Sequence, residues 1–171
     1  MSDAVNVLVV FYSRYGTTER LALAAGLGAI QEAANIRLRR LPDEASPEAI
    51  NADPAWRESV ARMNRDYVAP RPADPVWADV IVLAAPPDSP LEVESYVASL
   101  PACGPMAGKI AAPFTAGTGA DVLRAVSGAA ACAGLMVAPP GPATDDAVGG
   151  ARAHGQALVR LARALKAAAT A

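Results

Sequence analysis

The sequence predicts an α/β chain, a three-layer α/β/α sandwich around a five-stranded parallel sheet in the order 2-1-3-4-5. Three observations predict it. Short apolar runs recur at Val5–Phe11, Asp79–Ala85 and Lys109–Thr115, each with too little alternation for a strand wetted on one side. Segments of helical periodicity separate them, which makes parallel pairing with right-handed crossovers the natural solution. One strand, residues 35–41, alternates strictly and is basic on its polar face. That pattern suits a sheet edge, where the doubly wound order 2-1-3-4-5 puts the second strand.

The first strand, Val5–Phe11, runs into a compact polar loop, Ser13-Arg14-Tyr15-Gly16-Thr17-Thr18. A helix follows over Glu19–Ile30, with Leu21, Ala24, Ala25 and Gly28 on its inner side. Strand, hydroxyl-rich loop and helix together aim free N–H groups and a positive helix end at one point, where an anion belongs and a phosphate suits best. The loop has one glycine, not the three of G-x-G-x-x-G, and no lysine for a P-loop. Its hydroxyls suit a terminal phosphate monoester, although the same hydroxyls would also serve as helix caps. The S-x-Y-G-T-T pattern after a first strand resembles the phosphate loop of the flavodoxin-like fold, which holds flavin mononucleotide (FMN).

Pro42 ends the second strand. Over residues 43–77, Pro47 and Pro54 stand where helices start. Ala55–Tyr67 places Trp56, Val60, Met63 and Tyr67 on one stripe, read as packing. Pro70, Pro72 and Pro75 predict an extended, non-helical connection. A segment this long either works at the site or covers something. The third strand, Asp79–Ala85, ends in Pro86-Pro87-Asp88-Ser89-Pro90, and a helix follows over Leu91–Leu100. The fourth, Lys109–Thr115, ends in Ala116-Gly117-Thr118-Gly119 before a helix over Ala120–Ala133. Gly134–Ala138 is a short fifth strand. Asp145–Ala168 is the longest helical pattern, with Leu158, Leu161, Ala162 and Leu165 inward and Arg152, Arg160, Arg163 and Lys166 outward. Ligands of such sheets collect outside the carboxyl ends of the strands. Three loops reach that place: residues 13–18, 86–90 and 115–120.

At 171 residues, one domain over residues 1–171 is expected. A net charge of −2 gives no reason to expect nucleic acid as a partner. No apolar run approaches the ~20 residues that span a bilayer, and no secretory pattern opens the chain, so no membrane partner and a cytoplasmic location are expected. Cys103 and Cys132 form neither a metal spacing nor a C-x-x-C pair and are read as reduced and structural. The single histidine, His154, is far in sequence from all three loops and is expected at the surface or an interface.

With the three loops in view, the chain resembles the Trp repressor binding protein family of flavodoxin-like NAD(P)H:quinone oxidoreductases. VLVVFYSRYGTT matches that family's opening, WADVIVLAAP its third strand, GKIAAPFTAGTG its fourth strand and loop, and ARAHGQALVRLARALK its last helix. The second loop departs from the family's T-P-T-R-F/Y-G and reads Ala84-Ala85-Pro86-Pro87-Asp88-Ser89. The resemblance implies FMN as cofactor, with Ser13, Arg14, Tyr15, Gly16, Thr17 and Thr18 at its phosphate. Pro86, Pro87, Asp88 and Ser89, with Thr115, Ala116, Gly117, Thr118 and Gly119, would lie along the ribityl chain and ring. It implies NADH or NADPH as co-substrate, a small quinone-like acceptor, and a homo-oligomer, dimer or tetramer. The alternative is a non-catalytic relative that has lost flavin and works through another phosphorylated ligand or protein contacts. No aspartate cluster, no Cys and Arg bracketing a phosphate loop and no G-x-S-x-G elbow supports a receiver, phosphatase or hydrolase reading.

Overall fold

The computed structural model describes residues 4–117, 119–141 and 146–169. Five parallel strands, β1 (Asn6–Phe11), β2 (Asn35–Arg40), β3 (Val80–Ala85), β4 (Ile110–Thr115) and β5 (Met136–Val137), stand in the order β2-β1-β3-β4-β5. The register runs from Val7 opposite Ile36 on one side to Val7 opposite Val80 on the other. Buried on both faces, β1 and β3 have no polar side to alternate with, as their apolar runs require.

The two faces carry separate cores. Val7, Val9, Phe11, Val82 and Phe114 face α1 (Thr17–Gln31) and the last helix, while Leu8, Val10, Ile81 and Leu83 face the helices after β3 and β4. Between β2 and β3 run α2 (Pro47–Ala52), α3 (Pro54–Asp66) and α4 (Ala73–Trp77). Beyond β3 come α5 (Leu91–Cys103), α6 (Ala120–Cys132) and α7 (Ala147–Ala169). Pro47 and Pro54 open their helices behind the caps Ser46 and Asp53, whose side chains accept from free first-turn amides. On α3 the expected stripe is inward, with Trp56 and Met63 buried.

Contact between α1 and α7 is set by glycine. A Cβ on Gly28 would stand 2.0 Å from the Arg152 carbonyl oxygen, and one on Gly155 2.0 Å from the Ala25 carbonyl oxygen. The two backbones therefore touch where neither residue has a side chain.

Five sequence expectations change. The stretch around Pro70, Pro72 and Pro75 is not wholly extended: Ala73–Trp77 is one helical turn, with Pro75 in its first residues where no amide is required. On α7, Leu158 and Ala162 are buried, but Leu161 and Leu165 stay 40% exposed, because close glycine packing narrows the covered stripe. His154 is buried, its ring stacked on Phe114 at 6.1 Å between centroids. On β2 the polar face is only partly solvated: Arg37 and Arg39 converge on buried Asp74 at 3.1 and 2.7 Å. Arg40, on the Ile36 and Leu38 side of the strand, is buried against Asp43. The proposed start of the last helix at Asp145 lies outside the described residues, and β5 shrinks to two exposed residues.

Candidate functional site

At the carboxyl end of β1 the chain turns sharply into α1. Gly16 sits at φ +99°, in the left-handed region that favours glycine, and is the N-cap of α1. It offers no side-chain cap, so the hydroxyls do not close the helix in the ordinary way. Ser13 Oγ instead accepts from Gly16 N at 3.0 Å, which tightens the loop from inside. Among the described residues, the backbone N–H groups of Arg14, Tyr15, Thr17 and Thr18 have no partner. Four open amides and an uncapped helix end thus converge, the arrangement that suits an anion.

These groups border a cavity of ≈150 Å³, lined by Tyr12, Ser13, Arg14, Tyr15, Thr17 and Thr18 on one side and Pro86, Pro87, Asp88 and Ser89 on the other. The structure therefore brings the first two predicted loops together. The third loop abuts the second from behind: a Cβ on Gly119 would lie 3.2 Å from Pro87 Cα and 2.9 Å from Thr115 Oγ1. Thr115 Oγ1 is buried without a hydrogen-bond partner among the described residues. Thr115, Ala116 and Gly117 do not line the cavity itself, and Thr118 lies outside the described residues.

The segment between β2 and β3 braces the loop. Arg14 carries its guanidinium over the Trp56 ring, 4.3 Å from the centroid, so its charge is held beside the loop. Tyr15, 54% exposed, donates from its hydroxyl to Asp53 at 2.6 Å. That bond holds Asp53 below the usual carboxylate range and raises the phenol. Buried Tyr12 donates to Asp43, which also accepts from Trp56 Nε1, both at 2.9 Å. Burial, then the bond to Asp43, pushes the Tyr12 phenol well above its usual value and keeps it neutral. Glu19, the one acid in the first turn of α1, is turned onto Arg62 and the Tyr67 hydroxyl. Arg62 chiefly holds its carboxyl low and cancels the charge that would repel an anion. Among the described residues, Asp88 is the only carboxylate lining the cavity.

Tyr12, Asp43 and Asp53 were not singled out as site residues by their sequence. Asp53 reads as a helix cap before Pro54, and Tyr12 as the tail of an apolar run. Trp56 had a weak signal, an aromatic in a long segment near three loops. Tyr67 packs edge-on against Phe11 at 5.1 Å, and Trp77 lies under Arg37, away from the cavity. Among the described residues no cluster of His, Cys, Asp and Glu fits a metal ion, and no helix is long and apolar enough to cross a membrane.

No family model matches the chain. A protein of Deinococcus radiodurans named NAD(P)H dehydrogenase (quinone) is 31% identical over 86 residues, 50% of this chain and 42% of that protein. A Brucella anthropi protein of the same name is 32% identical over 79 residues, 46% of this chain and 37% of its own length. The match thus spans less than half the length of these curated relatives. Among solved structures, a flavodoxin from the domain Archaea superposes with a TM-score of 0.66 at 16% identity, covering 93% of this chain and 99% of that one. The NAD(P)H:quinone oxidoreductase from Methanothermobacter marburgensis gives 0.52 at 13% identity, covering 92% and 98%. The fold is flavodoxin-like, and about half of the chain is similar in sequence to proteins named NAD(P)H dehydrogenase (quinone).

Proposed function

We propose that the chain is an FMN-binding oxidoreductase of the NAD(P)H:quinone reductase type, taking electrons from NADH or NADPH and passing them to a small quinone-like acceptor. One observation carries it: the loop after β1 leaves four amides open beside an uncapped helix end, with Arg14 held at its rim. The names of the two curated relatives support the reaction class. The residues present fit a phosphate monoester. The amides of Arg14, Tyr15, Thr17 and Thr18 and the hydroxyls of Thr17 and Thr18 would hold it as donors, and Ser13 shapes the turn through Gly16. Pro86 to Ser89 bound the space next to it, with Gly119 packed close against Pro87. The unpartnered Thr115 Oγ1 is a ready hydrogen-bond group for the rest of the nucleotide. Bound FMN would supply hydride and electron transfer through its own ring. The protein would then orient that ring and admit both substrates to it, which asks for no acid–base dyad. A cytoplasmic, dimeric or tetrameric enzyme is part of the same proposal.

The test is titration of FMN followed by quenching of its fluorescence. Quenching at stoichiometric protein is expected, with an increase in Kd of at least tenfold in the Thr17→Ala/Thr18→Ala double variant. Each lost hydrogen bond to a charged group is worth ~1.5–3 kcal/mol.

A second reading rests on the closeness of Pro86–Ser89 to the loop. A cavity of ≈150 Å³ suits a phosphate group better than three fused rings. It makes the protein a non-catalytic relative that binds another phosphorylated ligand. FMN binding no tighter than inorganic phosphate, measured by calorimetry, would select this reading and overturn the first.

A further inference from the structure

Among the described residues, Arg14 is the one cation lining the phosphate-loop cavity, and it is half-buried. The ion pairs of the described residues lie elsewhere, so no carboxylate takes its charge directly. Aromatic groups hold it instead. Its guanidinium lies over the Trp56 ring, 4.3 Å from the centroid, and the Tyr12 and Tyr15 hydroxyls both interact with it. Two aspartates stand behind these rings, each committed to other groups. Asp43, 5% exposed at its side chain, accepts from Tyr12 and Trp56 Nε1 on one oxygen and pairs with Arg40 at 2.6 Å on the other. Asp53 accepts from the Tyr15 hydroxyl and from the amides of Ala55 and Trp56. Neither Trp56 nor Asp43 lines the cavity.

This arrangement differs in kind from a salt bridge. A carboxylate partner would occupy the N–H edge of the guanidinium and cancel its charge. Stacking uses the flat face, so the edge donors and the full charge remain for a ligand. A planar edge with parallel donors matches two oxygens of a phosphate and gains far less from a neutral hydroxyl. Stacking also orders a long side chain before binding, which removes a cost that a mobile loop arginine would meet at binding. The dependence runs in one direction: Arg40 and Tyr12 fix Asp43, Asp43 fixes the indole through Nε1, and the indole fixes Arg14.

We propose that Trp56, oriented by Asp43, is a positioning residue that presents Arg14 as the specificity-determining group for a phosphate monoester. Together they set how far the site prefers a phosphorylated ligand over its unphosphorylated counterpart. The proposal rests on the reading of the loop as a phosphate site, not on flavin being the ligand.

The experiment is a double-mutant cycle on Arg14→Gln and Trp56→Leu in the flavin-free protein. Two probes run in parallel: inorganic phosphate by calorimetry, and FMN against riboflavin by fluorescence quenching. Arg14→Gln should weaken phosphate and FMN by about tenfold or more and leave riboflavin unchanged. Trp56→Leu should reproduce most of that loss. In the double variant the loss should be no greater than in Arg14→Gln alone, because Trp56 acts through Arg14. Both single variants should flatten the dependence of phosphate affinity on NaCl, since the screened attraction is the one removed. Trp56→Phe keeps a ring under Arg14 without the N–H that Asp43 holds, and should fall between the unaltered protein and Trp56→Leu; it carries the cycle if the leucine variant does not fold. A Trp56 loss that adds fully to Arg14→Gln, equal weakening of riboflavin and FMN, unaltered affinity in both Trp56 variants, or an unchanged NaCl dependence would each overturn the proposal. So would an unaltered protein that binds no phosphate. The full cycle with phosphate, but no quenching of FMN, would leave this proposal standing and remove the flavin reading.

Discussion

Asp74 shows how one residue can organise an edge. It is 2% exposed at its side chain and gathers Arg37, Arg39 and the amide of Arg71. Burial alone would raise its carboxyl; the bonds from Arg39 and Arg71 outweigh that and hold it low. Removing it leaves two arginines facing a dry wall, although both retain a path to water. Asp74→Ala should therefore cost about 2–3 kcal/mol in urea unfolding, and Asp74→Asn less, since the amide oxygen still accepts. The sequence offered the basic strand but not its partner, because the acid that neutralises it lies 35 residues on, inside a proline-rich stretch. Arg14 is similar. Whether a loop arginine meets water or a ring depends on where Trp56 arrives, 42 positions later, and local pattern carries no such information.

At the scale of elements, the pairing of α1 with α7 is the tightest constraint. Alanine improves helix propensity over glycine by about 1 kcal/mol. At Gly28 and Gly155 that gain is overwhelmed, since the new methyl would stand on a carbonyl oxygen of the opposite helix. Either Gly28→Ala or Gly155→Ala should lower stability by about 2 kcal/mol net, a fall in Tm of roughly 4–8 °C for a chain of this size. Gly128, with open space at its Cβ, is the control, and its alanine variant should be neutral or stabilising. Strand and helix positions were legible because burial on two faces or one stripe leaves a period in the sequence. The turn at Ala73–Trp77 was not, since prolines at a helix start and prolines in an extended run look alike locally.

For the molecule as a whole, acid sensitivity follows from His154. Burial lowers its pKa below the ordinary ~6.5, so the folded chain prefers it neutral while the unfolded chain takes up a proton. Stability conferred by the neutral ring is complete above about pH 6.5 and declines as pH falls from there toward the folded value. Glu19 and Asp74, both held low, lose their contributions only at more acidic pH. Thermal unfolding should therefore show a first decline in Tm as pH falls below about 6.5, and His154→Gln should flatten that first decline alone. A decline unchanged in the variant would assign it to another group.

From the sequence alone come the strand order, the flavodoxin-like layers, and the compact polar loop of Ser13 to Thr18 on which the proposed anion site rests, because each is written in neighbouring residues: an apolar run, a polar turn, a helical period. The tertiary structure alone decides which side chains brace that loop, that His154 is buried, and that, among the described residues, Glu92 Oε2 and the Tyr96 hydroxyl are buried without a partner. Those facts depend on groups tens of residues apart meeting in a dry interior, where the cost of an unpaired polar atom, unlike a helical or strand period, leaves no local trace in the order of amino acids.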